Sequence, residues 1–175
     1  MKTFRIFSAV LIAFAVFAAG ADAQKRPAKR PAPKPKATPN TVVSSLEIRT
    51  AKEKVSNQVT NVTLFTDRLG PIAANIEAID ADSRTNRVSR PALDKNDANK
   101  EKVRTAIKNL RAGLVTLETE FRTKPGLRKF LPNIEGITVL SAEAEDMANA
   151  GRFTESRRPL LTVLQKLSDT LAVLK

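Results

Sequence analysis

The sequence predicts an all-α protein: an antiparallel up-down four-helix bundle, its first helix broken or kinked near Gly70-Pro71, behind a signal peptide and a disordered basic leader. Three observations predict it. From Leu46 onward, apolar residues recur at alternating steps of three and four, the period of one helix face. Strand signals are nearly absent, since the chain has no Trp or Tyr, only six Gly, and no alternating apolar run flanked by hairpin turns. No cysteine is present, so no disulfide can replace a hydrophobic core, and packed helix faces must supply it.

Residues 1–23, MKTFRIFSAVLIAFAVFAAGADA, read as a secretory signal. Lys2 and Arg5 form the charged start, Ile6 to Ala19 is apolar except for Ser8, and Ala21-Asp22-Ala23 offers small residues for cleavage after Ala23. The apolar run falls short of the ~20 residues a membrane span requires. A periplasmic or secreted protein is expected. Residues 24–40, QKRPAKRPAPKPKATPN, form the leader. They hold six cations (Lys25, Arg26, Lys29, Arg30, Lys34 and Lys36), five prolines and no acid. Proline at this density favours extended polyproline II. Apolar residues larger than Ala are missing, so the segment cannot build a core. The helical domain is expected over 41–175.

Within the domain, Ser44-Ser45-Leu46-Glu47 offers a capping box for the first helix. Its stripe is Ile48, Ala51, Val55, Gln58, Val62, Phe65 and Leu69, continued past Gly70-Pro71 by Ile72, Ile76 and Ile79. Residues 81–93 read as a loop, with Asp94 or Asp97 capping the second helix. That helix carries Val103, Ile107, Leu110, Leu114, Leu117 and Phe121, and TKPG (123–126) ends it. Asn133 is expected to open a shorter helix through Ile134, Ile137, Leu140, Ala144, Met147 and Ala148, closed by Gly151. Leu160, Leu164, Leu167, Leu171 and Leu174 stripe the last one. Pro159 is tolerable there if Ser156 is the cap, and should kink the helix if it starts at Thr154. The phenylalanines Phe65, Phe121, Phe130 and Phe153 are expected to fill the core. Gly70-Pro71, Lys124-Pro125-Gly126 and Gly151 cut the pattern into pieces too short for a long coiled coil.

Composition excludes much chemistry. Without His or Cys there is no Ser-His or Cys-His nucleophile pair and no imidazole or thiolate metal site. Met147 has no His to share a haem with, and Cys-x-x-Cys-His is absent. No cofactor and no enzymatic activity are expected. Glu118 with Glu120, and Glu143, Glu145 and Asp146, are read as solvated helix faces. Asp80 and Asp82 begin like a calcium loop, but Arg84 stands where a third ligand should be.

Charge is the remaining lead. Of the net +12, the signal carries +1 (two basic residues, one acidic) and the leader +6, leaving +5 on the domain. Basic residues gather at the expected loops. In an up-down bundle the leader would join Arg122, Lys124, Arg128 and Lys129 at one end. Arg84, Arg87, Arg90, Arg152, Arg157 and Arg158 would form a second cationic end, a candidate anion site. Arg157 and Arg158 are notable because positive charge is unfavourable at a helix start. The expected function is a non-enzymatic interaction or scaffold module of the cell envelope. Its leader would meet an anionic envelope polymer or membrane surface, and its helices an unknown protein partner. The alternative is a polyanion or nucleic-acid binder, disfavoured because the leader has no aromatic residue on which bases could stack.

Overall fold

The computed structural model describes residues 39–85 and 87–175. The expected signal peptide and all six leader cations lie outside the described residues. Every described element is helical. Helix α1 spans Pro39–Ser83 and α2 spans Arg90–Thr123. A single 3-10 turn, Arg128–Phe130, leads into the short α3, Leu131–Ile134. Helix α4 covers Ile137–Asn149 and α5 covers Phe153–Val173. Four main helices therefore carry the fold, and none is long and apolar enough to cross a membrane.

Each helix exists because its apolar stripe finds a partner. One cluster gathers Val55, Val62, Leu114, Phe121, Ile137 and Leu167 with their neighbours. A second gathers Leu69, Ile76, Ile107, Ala148, Phe153 and Leu160. Leu110 packs against both, so the core is continuous. Buried hydroxyls are satisfied within their own helices: Thr66 Oγ1 donates to the Val62 carbonyl at 2.9 Å, Ser141 Oγ to Thr138 and Thr170 Oγ1 to Lys166.

Contacts between helices step in opposite order along each pair. Between α1 and α2, Glu47 meets Gly126, Lys54 meets Glu120, and Asp80 meets Lys100. Between α2 and α4, Arg104 reaches Ala148, Arg111 meets Glu145, and Glu118 meets Thr138. Between α1 and α5, Thr66 meets Arg157 and Glu77 meets Thr154.

Several expectations about element ends are corrected. Helix α1 begins at Pro39, two residues inside the stretch assigned to the leader, so Ser44 and Glu47 are interior and form no capping box. Nor is α1 broken at Gly70-Pro71. Pro71 removes one donor on the exposed side, while Leu69, Ala73 and Ile76 stay buried across it and hold the helix together. Helix α2 starts at Arg90, after Ser89 and with a proline in its first turn, ahead of Asp94 and Asp97. The helix expected from Asn133 is two pieces, because Gly136 adopts φ 93°, a left-handed conformation that ends α3 before α4 begins. Helix α5 starts at Phe153, ahead of a Ser156 cap and one residue before the alternative start at Thr154, and Pro159 lies inside it on the buried face. Phe121 and Phe153 are core residues, whereas Phe65 and Phe130 are only half-buried.

Candidate functional site

The helix starts show how the charged side chains are used. Neither α2, α4 nor α5 receives a side-chain hydrogen bond from its own N-cap residue. Carboxylates from neighbouring helices take that role for α4 and α5. Glu118 of α2 accepts from the Gly136 N–H at 3.2 Å and from the Thr138 N–H at 2.9 Å. Glu77 of α1 accepts from the Thr154 N–H at 2.8 Å and its hydroxyl at 2.7 Å. Glu47 accepts from the Gly126 N–H at 3.0 Å in the turn after α2. Glu118 and Glu77 thereby place a negative charge where the unpaired amides of a helix start point outward. Glu118 is the most enclosed. Burial pushes its carboxyl up, but the α4 amides and Arg122 Nη2 at 2.7 Å outweigh that and hold it at about 2.

Three further carboxylates, Glu120, Glu145 and Asp80, are taken up by cations. Glu120 turns away from Glu118 toward Lys54 and Lys124. Burial alone would raise its pKa, and the two ammonium groups bring it below the ordinary carboxylate value. Glu145 pairs with Arg111 at 2.7 Å. Asp80 accepts from Lys100 at 2.6 Å and from Asn96 Nδ2 at 2.8 Å, so the aspartate whose sequence only begins like a calcium loop already has two donors. Desolvation lowers the pKa of Lys100, but Asp80 and Asp97 overcome it, and the net displacement is upward. Among the described residues no group of three or more acidic side chains is arranged to hold a metal ion.

The candidate cations are spread through this network. Arg84 and Arg87 are exposed in the connection after α1. Arg90 pairs with Asp94 at 3.3 Å, and Arg152 with Glu155 at 3.1 Å. Arg157 is half-buried and donates from Nε to the Thr66 carbonyl at 3.1 Å. That carbonyl lies next to the Asp67 carbonyl whose helical donor Pro71 lacks. Its unfavourable position at a helix start is thus explained by a structural contact. Arg158 lines an open hollow shared with Glu143 and Glu155, so that surface is of mixed sign. At the other end, Arg122 is tied to Glu118 and Glu135, and Lys124 to Glu120. Lys129 lies over the Phe130 ring and Arg128 Nε donates to the Arg122 carbonyl. Lys25, Arg26, Lys29, Arg30, Lys34 and Lys36 are outside the described residues.

Sequence reasoning missed Glu47, Glu77 and Glu118 as helix-end acceptors. The available signal was indirect: helix starts at Gly136-Ile137 and Arg152-Phe153 with no Ser, Thr, Asp or Asn at the cap, so the acceptor had to come from elsewhere. It also missed an apolar groove between α1 and α2, floored by Phe65, Leu69, Ile72, Val103 and Ala106. No protein-family model matches the chain, no curated protein is significantly similar to it, and no solved structure matches it.

Proposed function

We propose that this protein is a non-enzymatic, exported helical module of the cell envelope, held near anionic surfaces by its basic, proline-rich leader. Its helices form an antiparallel up-down four-helix bundle, a reading supported by the opposite stepping of contacts along α1–α2, α2–α4 and α1–α5. The bundle is the interaction body and the leader is the electrostatic tether.

The observation that carries this reading is the contrast in charge compensation. In the domain, cations and acids are interspersed: Arg90, Arg152, Arg122 and Lys124 have carboxylate partners and Arg157 is committed to a backbone carbonyl, while the cations without an ion pair, such as Arg68, Arg84, Arg87, Lys102 and Arg158, are scattered singly or in twos. In residues 24–40, six cations stand with no acid among them. A polyanion or a charged membrane is attracted most strongly to the uncompensated group. The polyanion or nucleic-acid reading uses the leader and the Arg-rich ends together; Arg90 and Arg152 at those ends already have acidic partners, whereas Arg84, Arg87 and Arg158 form no ion pair among the described residues.

The experiment compares the chain from Gln24 onward with a variant of it lacking residues 24–38, which leaves α1 intact; the expected signal peptide is absent from both. Both are sedimented with phosphatidylglycerol vesicles and with neutral phosphatidylcholine vesicles. The proposal predicts that the chain from Gln24 onward sediments with the anionic vesicles at low salt and is released by high salt. It also predicts that the shortened chain stays in the supernatant. Equal sedimentation of the two forms would overturn it.

A further inference from the structure

The apolar stripe on α1 does not all reach the core. Beyond Val62 its buried positions are Thr66, Leu69, Ala73 and Ile76, while Phe65 is half-buried and Ile72 is 42% exposed. Stripe residues spaced by three and four keep a 3.5-residue period, and a straight helix turns away from that period by about 20° per heptad. Phe65 and Ile72 have rotated out of the core toward α2. With Leu69, Val103 and Ala106 they floor an open groove of about 310 Å³.

The groove's charge is as specific as its floor. Two charged residues line it, Arg68 on α1 and Lys102 on α2, and no carboxylate does. Neither forms an ion pair among the described residues, although the two cations that flank Lys102 on α2 do: Lys100 is held by Asp80 and Asp97, and Arg104 by Glu101. Asn75 and Asn99 supply the remaining polar groups. A two-sided pair of uncommitted cations over a contiguous apolar floor is chemically matched to a molecule with an apolar body and a negative head.

We propose that this groove binds one single-chain anionic amphiphile, a fatty carboxylate. Its chain lies along Phe65, Leu69 and Ile72 on one wall and Val103 and Ala106 on the other, and its carboxylate meets Arg68 and Lys102. The volume is at the small end of the ~300–1,000 Å³ of ligand pockets, which suits one acyl chain rather than two. A second protein helix is a poor occupant. The floor gives way along α2 to Asn99 on one side and to Asn109 and Gly113 on the other, too short a strip for an interface of roughly 1,000 Å². The inference goes beyond the tether reading and uses none of its residues, so removing 24–38 should leave this site intact.

Titration calorimetry of the full chain with sodium laurate below its micelle concentration tests it. The expected result is one saturable site per chain. Arg68→Gln combined with Lys102→Gln should raise Kd tenfold or more, and Ala106→Trp, which fills the groove, should abolish binding. Arg84→Gln with Arg87→Gln removes the same charge elsewhere and should leave Kd unchanged. If Ala106→Trp does not give the wild-type circular dichroism spectrum, Ile72→Ser at its exposed position serves instead and should weaken binding at least fivefold. The proposal is overturned if laurate shows no saturable site, if dodecyltrimethylammonium binds as well as laurate, or if the groove variants leave Kd unchanged. It is also overturned if binding is seen only to phosphatidylglycerol vesicles, or if light scattering shows a dimer that a groove variant dissociates.

Discussion

Replacing Glu118 by glutamine tests how far the fold depends on one carboxylate supplied by one helix to the start of another. The Glu118 side chain is 5% exposed. It accepts from two backbone amides and one guanidinium, at 3.2, 2.9 and 2.7 Å. Its pKa lies at about 2 against an ordinary 4.5. At about 1.4 kcal/mol per pH unit of displacement, that corresponds to roughly 3 kcal/mol of stability at neutral pH. Glutamine keeps one acceptor oxygen but turns an NH₂ group toward donors, so the loss should be on the order of 3 kcal/mol. For a domain of this size Tm should fall by about 10 °C. The native carboxyl is depressed, so its contribution is complete above about pH 4.5 and is lost as pH falls toward 2. The gap between wild type and Glu118→Gln should therefore shrink to roughly half by pH 3. The chain has neither Trp nor Tyr, so urea unfolding is followed by circular dichroism at 222 nm rather than by fluorescence. A difference under about 0.5 kcal/mol at pH 7, or one that stays constant down to pH 3, would refute the reasoning.

The glycines give a paired prediction. A Cβ at Gly113 would stand 2.8 Å from Gln58 Nε2, the far end of a flexible side chain whose Oε1 has no hydrogen-bond partner among the described residues, so Gly113→Ala should be neutral or stabilise by up to about 1 kcal/mol. A Cβ at Gly126 would stand 3.2 Å from the Ser44 Cα and would crowd the Glu47 carboxylate, so Gly126→Ala should cost about 1–3 kcal/mol in the same urea assay. Pro71 lies exposed inside α1, and Pro71→Ala should raise stability by about 1–3 kcal/mol as a helical hydrogen bond is restored, read as a higher urea midpoint. Phe121 is fully buried, and Phe121→Ala should cost about 3–5 kcal/mol by the same measurement.

Much of the helical pattern was legible because burial leaves a periodic mark. On α2, Val103, Ile107, Leu114, Leu117 and Phe121 are all buried as their spacing predicts. On α5, Leu160 and Leu167 are as well, and so is Leu174 just past its end. The end of α2 at TKPG was also legible, because the residue before a proline favours extended backbone, and Lys124 adopts it just ahead of Pro125. Helix starts were not. Local capping logic looks for Ser, Thr or Asp at the boundary, whereas here Glu118 and Glu77 reach α4 and α5 from sequence distances of 18 to 77 residues. The α1 stripe was legible in kind but not in phase, since drift between a 3.5 and a 3.6 period decides whether Phe65 or Thr66 faces the core. Arg157 illustrates the limit for site residues. Its sequence position suggested an anion site, and only the packing of α5 on α1 brings it to the Thr66 carbonyl.

The claim that the leader is the working cationic element is tested most directly by salt dependence. Binding of the chain from Gln24 onward to duplex DNA, used as a polyanion of known charge density, is measured across a series of salt concentrations. With six leader cations engaged, log K should fall against log salt with a slope near −5, at about −0.9 per neutralised phosphate. Removing residues 24–38 should bring that slope close to zero. A slope unchanged by the deletion but collapsed by Arg84→Gln, Arg87→Gln and Arg158→Gln together would contradict the account and assign the charge to the domain instead.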